Sequence, residues 1–213
     1  MKLSVKLMDV QIRWLLMLVV PFLWLFIAAC GGPELSTLPE DGVIVAFGDS
    51  LTRGTGVSPE NSYPAVLAGM TGMKVINAGV PGEVTAEGLD RLPGVMDRYR
   101  PDLVIICHGG NDILQKQSMA DAGANLDAMV RMVLNRNIDV VLVAVPKLSI
   151  FGSPPDFYEQ VARRHKVPID MDTLGDLERD RSMKSDPIHL NAAGYRELAG
   201  TVYQMLGKYG AIP

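Results

Sequence analysis

The sequence predicts an α/β domain: a mostly parallel sheet of about five strands with helices on both faces. Three observations predict it. The strand candidates are continuous apolar runs rather than alternating ones, as suits strands covered on both faces. Amphipathic helical patterns separate them. The loops richest in Gly, Asn and Asp follow the strands, at the carboxyl ends where such sheets bind ligands. A chain of 213 residues, 48% apolar, suffices for one such domain.

The first segment is a leader. Lys2, Lys6 and Arg13 outweigh Asp9, and Trp14 to Ala29 carries no charge and ends in small residues. That describes a secretory signal peptide over residues 1–29. The run is short for a membrane span and is interrupted by Pro21. Ile27-Ala28-Ala29-Cys30-Gly31 resembles a bacterial lipobox. The resemblance implies cleavage before Cys30 and lipidation there, with each buried acyl methylene contributing about 0.8 kcal/mol of membrane affinity. The other reading is an uncleaved signal anchor with an incidental cysteine. Both place the protein in the cell envelope, on a membrane and facing the periplasm or the exterior. Residues 30–41, rich in Pro, Gly and Ser, read as a lipidated tether, and residues 42–213 as the folded domain.

Within that domain Val43–Phe47, Lys74–Asn77, Leu103–Cys107, Val140–Val145 and Val167–Asp170 read as strands. Leu126, Met129, Val130, Val133 and Leu134 fall on one helix face, with Ser118 and Asp121 ahead of them spaced as a capping box. Tyr195, Leu198, Ala199, Val202 and Leu206 repeat the pattern in the last helix, with Asn191 as its N-cap.

Composition excludes several functions. A net charge of −4 gives no basic face for nucleic acid. Two cysteines, Cys30 and Cys107, make no disulfide framework, and no CxxC or His-rich spacing suggests a metal. Neither a metal nor an organic cofactor is expected. Any His-dependent chemistry must use His108, His165 or His189.

Four short segments carry the chemistry. Gly48-Asp49-Ser50-Leu51-Thr52 follows the first strand, where a serine either projects into a cleft or caps a helix. Asp186-Pro187-Ile188-His189-Leu190-Asn191 leads into the last helix. A serine needs a base to take its proton, and the base needs a carboxylate on its other ring nitrogen. Asn77-Ala78-Gly79-Val80-Pro81-Gly82 offers backbone N–H groups, and Gly109-Gly110-Asn111-Asp112 adds a side-chain amide. Acyl transfer needs such donors around the developing oxyanion.

In that order the four segments resemble the blocks of the GDSL/SGNH hydrolases, over residues 42–207 and with spacing similar to the bacterial multifunctional thioesterase, arylesterase and lysophospholipase branch. The resemblance implies a three-layer α/β/α flavodoxin-like SGNH-hydrolase fold. It implies Ser50 as nucleophile, His189 as base and Asp186 as its orienting carboxylate, with Gly79 and Asn111 completing an oxyanion hole begun by the Ser50 N–H. Asp49 and Asp112 match supporting positions. The strict GxSxG elbow is absent, since Thr52 stands at its second Gly, and GDSLTRGTG lacks the Gly-Lys-Ser/Thr of a P-loop.

The expected substrate is a small acyl ester, thioester or lysophospholipid. The segment Val80–Thr85 influences chain-length preference in this branch, but Pro81 and Glu83 leave the length open here. Leu148 to Tyr158 either walls an acyl pocket or packs into the core. His108 either lines the cleft or packs in the core, and packing is also expected of Cys107. His165 falls on a solvated basic face. Two rival functions are a carbohydrate O-acetyl esterase and a ligand-binding lipoprotein without catalysis. Nothing in the sequence sets an oligomeric state.

Overall fold

A computed structural model describes residues 32–147 and 152–213. Residues 1–29, read above as a signal peptide, Cys30 and residues 148–151 of the Leu148–Tyr158 loop lie outside the described residues.

Five parallel strands form one sheet: β1 (Val43–Gly48), β2 (Lys74–Gly79), β3 (Leu103–Cys107), β4 (Asp139–Val143) and β5 (Ile169–Asp170). Their order is β2-β1-β3-β4-β5. This is the flavodoxin-like order, whose switch point lies between β1 and β3, where the connections leave in opposite directions and open a crevice. Gly48 is in register with Cys107 on one side and Gly79 on the other, so three loops leave the sheet together.

The helices are α1 (Ser50–Arg53), α2 (Tyr63–Thr71), α3 (Thr85–Tyr99), α4 (Gly110–Leu114), α5 (Met119–Leu134), α6 (Phe157–His165), α7 (Thr173–Arg179) and α8 (Ala192–Lys208). α2 packs against α8, while α3 and α6 flank α5. The apolar stripe read in α5 is buried from Leu126 through Val133, and that of α8 from Tyr195 through Leu206. Ser118 accepts from Asp121 N–H, and the Asn191 side chain accepts from Ala193 and Gly194 N–H. Both predicted caps are present.

The stretch read as a tether is docked over part of its length. Leu35 and Leu38 are buried, and their N–H groups donate to Tyr209 O and Ala211 O, both at 2.8 Å. Ser36 N–H donates to Asp139 Oδ2 at 2.6 Å. Two leucines spaced to grip the C-terminal segment override the Pro/Gly/Ser composition around them. Of the two roles open to the Leu148–Tyr158 loop, Phe157 and Tyr158 take the packing one: Phe157 packs against the core, and Tyr158 is buried with its hydroxyl donating to His108 O at 2.7 Å.

Candidate active site

The position of Ser50 is set by crowding at the end of β1. A Cβ on Gly48 would overlap the Cys107 carbonyl oxygen, so only glycine lets the two strands stay paired here. Asp49 then caps α1: its Oδ1 accepts from Leu51 N–H at 3.0 Å. The capping role open to Ser50 thus falls to its neighbour, and Ser50 is the first residue of the helix with its hydroxyl free for other work.

That hydroxyl meets His189. Ser50 Oγ lies 3.0 Å from His189 Nε2, and His189 Nδ1 lies 2.7 Å from Asp186 Oδ2. The loop presenting them is braced at its base, where Ser185 N–H donates to His189 O and Asn191 N–H to Met183 O. Asp186 Oδ1 accepts from both Ile188 and His189 N–H at 2.8 Å, which folds the loop tightly around the carboxylate. Partial burial works to raise the Asp186 pKa, but these N–H donors and the imidazole prevail and hold it at about 2. It is therefore a carboxylate at any working pH, aimed at Nδ1.

Asn111 stands on the other side of the serine, in the first turn of α4. Its Nδ2 donates to Glu83 O at 3.0 Å and, at a longer 3.3 Å, to Asp49 Oδ2. Asp112 takes the supporting role expected of it, accepting from Thr85 N–H and Thr85 Oγ1. Burial raises the Asp49 carboxyl pKa.

The block II glycine needs correction. Gly79 N–H donates to Asn77 Oδ1 at 3.1 Å, and Gly79 is itself the last residue of β2. Its donor is spent within its own segment. Gly82, at φ +84°, carries an N–H that donates to nothing among the described residues. It sits between Val80, whose N–H donates to Gly48 O, and Glu83, whose carbonyl holds Asn111. The second glycine of NAGVPG and its place in a turn were the only signals in the sequence.

His108 is fully buried and is not among the described residues that line the cleft beside Ser50. Its Nε2 lies 3.0 Å from Glu83 Oε2, and the Glu83 carboxylate also accepts from Arg91 Nε and Nη2, both at 2.6 Å. The Arg91 guanidinium stacks over Phe47 at 4.2 Å. The Glu83 carboxyl pKa, despite burial, is held below its usual value by His108 and Arg91. His165 is not free in solvent either, since its Nε2 meets Asp127 Oδ1 at 2.9 Å beside Arg164. Cys107 is buried, and burial pushes its thiol pKa up, against nucleophilic use.

Beside Ser50 and Asn111 a cleft opens between Ile113, Leu114, Val145, Pro146 and Ile188, with Glu178 at its edge. Leu114, which lines it, is partly exposed. Neither Gly82 nor Glu178 was singled out from sequence.

Residues 46–197 match the GDSL-like Lipase/Acylhydrolase family. An arylesterase of Vibrio mimicus is 29% identical over 136 residues, 59% of this chain and 68% of that protein. The Thioesterase 1/protease 1/lysophospholipase L1 of Escherichia coli K12 is 26% identical over 187 residues, 84% of this chain and 85% of that protein. Among solved structures, TesA superposes with a TM-score of 0.70 at 24% identity, covering 78% of this chain and 99% of that one. AlinE4, an SGNH-hydrolase family esterase, superposes with a TM-score of 0.60 at 29% identity, covering 81% and 98%. The chain thus belongs to the GDSL-like lipase/acylhydrolase family, with the fold that its four blocks predicted.

Proposed function

We propose that this chain is a serine esterase that hydrolyses small carboxylic esters or thioesters by two-step acyl transfer. The unbroken line from Asp186 Oδ2 through the His189 ring to Ser50 Oγ, at 2.7 and 3.0 Å, carries the reading. With Asp186 ionised, His189 donates its Nδ1–H to the carboxylate, and Nε2 presents a lone pair to the serine hydroxyl. Ser50 Oγ attacks the carbonyl carbon as its proton passes to Nε2. The oxyanion that forms is received by the N–H groups of Ser50 and Gly82 and by the Asn111 amide, whose longer bond to Asp49 gives way. His189 then protonates the leaving alcohol or thiol. Water attacks the acyl-serine by the same route in reverse and releases the acid.

The relatives named arylesterase and thioesterase/lysophospholipase support ester, thioester and lysophospholipid substrates for this chain too. An apolar cleft wall of Ile113, Leu114, Val145 and Ile188 suits a hydrocarbon acyl group better than a sugar, and favours this over a carbohydrate O-acetyl esterase. The lipobox-like stretch supports a protein anchored at the cell envelope through Cys30, with the catalytic domain held near the membrane by the docking of Leu35 and Leu38.

Ser50→Ala tests the chemistry. It should reduce p-nitrophenyl ester hydrolysis by at least about 10⁴-fold while the protein stays folded by circular dichroism. Undiminished turnover would reject the assignment. Failure of a fluorophosphonate probe to label Ser50 in the wild type would instead favour the non-catalytic binder. Cys30→Ser should release the protein from the membrane fraction; continued pelleting would favour an uncleaved anchor.

A further inference from the structure

A second carboxylate looks into the reaction cleft, and the acyl-transfer scheme gives it no task. Glu178, in the last turn of α7, shares the cleft with Ser50, Asn111, Leu114 and Ile188. Its side chain is half-buried, and its carboxylate accepts no hydrogen bond among the described residues. Lys184 is the cation closest at hand, yet its Nζ donates to two carbonyl oxygens, Pro187 O at 2.6 Å and Glu178 O at 3.4 Å. No lysine or arginine lines the cleft among the described residues. Of the other titratable groups, Asp49 lines it beneath Asn111, and His189, with Asp186 behind its imidazole, stands against Ser50.

A carboxylate drawn partly out of water without a partner is unfavourable, and an amide or an apolar residue would fill this place at less cost. Burial raises the Glu178 carboxyl pKa to about 7, with Lys184 opposing. Such groups concentrate at functional sites. The apolar residues lining the same cleft, Ile113 with Leu114, Val145 and Ile188, are the surface on which an acyl chain would lie. A second negative charge brought among them would be repelled by Glu178, since no lysine or arginine lines the cleft among the described residues.

We propose that Glu178 is a specificity-determining residue of this ester-hydrolysis site: it disfavours acyl groups bearing a negative charge near the reacting carbonyl and admits neutral ones. The proposal rests on the assignment of Ser50 as nucleophile. It predicts simple fatty or aromatic acyl esters as substrates and half-esters of dicarboxylic acids as poor ones.

The test compares p-nitrophenyl butyrate with p-nitrophenyl hemisuccinate in the full chain. Leaving group and triad are shared, so the ratio of the two kcat/KM values isolates the acyl site, and the titration of His189 cancels. Loss of butyrate hydrolysis in Ser50→Ala first establishes the nucleophile; if it persists, the nucleophile assignment has failed rather than this one. In the wild type at pH 8 the hemisuccinate should be disfavoured by about tenfold or more. Glu178→Gln should narrow that gap about five- to tenfold, on the scale of two charges several Å apart near water. The wild-type gap should also narrow from pH 8 to pH 6 as Glu178 is protonated, because the succinyl carboxylate stays ionised throughout. The same ratio within twofold in wild type and Glu178→Gln overturns the proposal. So does a wild-type ratio that fails to move between pH 6 and pH 8, a reading that does not depend on the variant folding.

Discussion

His189 and His108 each place a ring nitrogen against a carboxylate, at 2.7 Å from Asp186 and 3.0 Å from Glu83. The pairs differ in what the remaining nitrogen meets. His189 turns Nε2 to the Ser50 hydroxyl, and Ser50 lines a cleft. His108 is sealed in the core, and its Nδ1 has no hydrogen-bond partner. Its other ring nitrogen serves only the Glu83 carboxylate. A His–carboxylate pair is therefore no mark of a general base by itself. The group on the far nitrogen, and the access to it, decide.

The largest expected effects fall on the open pair. Asp186→Asn presents an amide where Nδ1–H needs an acceptor, and the wrong tautomer then faces Ser50. Activity should drop about 10³- to 10⁴-fold with little change in the circular dichroism spectrum. His108→Asn should do the reverse. Thermal unfolding should show a loss of about 2–3 kcal/mol for the cavity and the broken pair, with kcat within about tenfold of wild type. A collapse of kcat in a well-folded His108→Asn protein would end the distinction between the pairs.

The next effects link the two regions. Asn111 is held by the carbonyl of Glu83, the residue whose side chain joins His108 to Arg91. Asn111→Ala removes a donor outright and should lower kcat about 10²- to 10³-fold with KM little changed. Glu83→Gln keeps the shape but leaves Arg91 without its counter-charge, so unfolding should come about 3 kcal/mol sooner. Its kcat should fall about tenfold, because the loop that carries Gly82 and positions Asn111 is loosened. Equal losses in kcat and in stability at Glu83 alone, with none at Asn111, would show the hole to be built elsewhere.

This contrast also marks what the sequence could reveal. β3 was readable to the residue because Leu103–Cys107 is one unbroken apolar run. Ser50, Asp186 and His189, which the resemblance of their blocks put together, lie within hydrogen-bond distance of one another in the structure, and Asn111 stands beside Asp49. The choice between Gly79 and Gly82 was not readable, because it turns on the Asn77 side chain folding back onto its own backbone. The partner of His108 was hidden for another reason. Glu83 lies in the loop after β2, Arg91 in α3 and His108 after β3, and only the packed sheet brings them together. β5 shrank to Ile169–Asp170, a short edge strand, as apolar character alone does not set where pairing stops.

Glu178 gives a third case, a carboxylate in the cleft with no histidine at all, and its expected effect on stability is the smallest. Its carboxyl titrates near 7 in the folded chain, against an ordinary value of 4.5. The folded state thus binds the proton more tightly, and stability falls as pH rises between those values. Glutamine does not titrate, so Glu178→Gln should match the wild type most closely near pH 4.5 and gain on it up to pH 8. Water reaches the group, so the gain is discounted to ~1 kcal/mol, or about 2–4 °C in Tm for a domain of this size. Melting curves at pH 5 and pH 8 measure the difference directly. A gap that narrows toward pH 8 would mean that Glu178 is stabilised as an anion, by a cation that reaches its carboxylate. The cleft would then lack the unpaired charge on which its proposed selectivity depends.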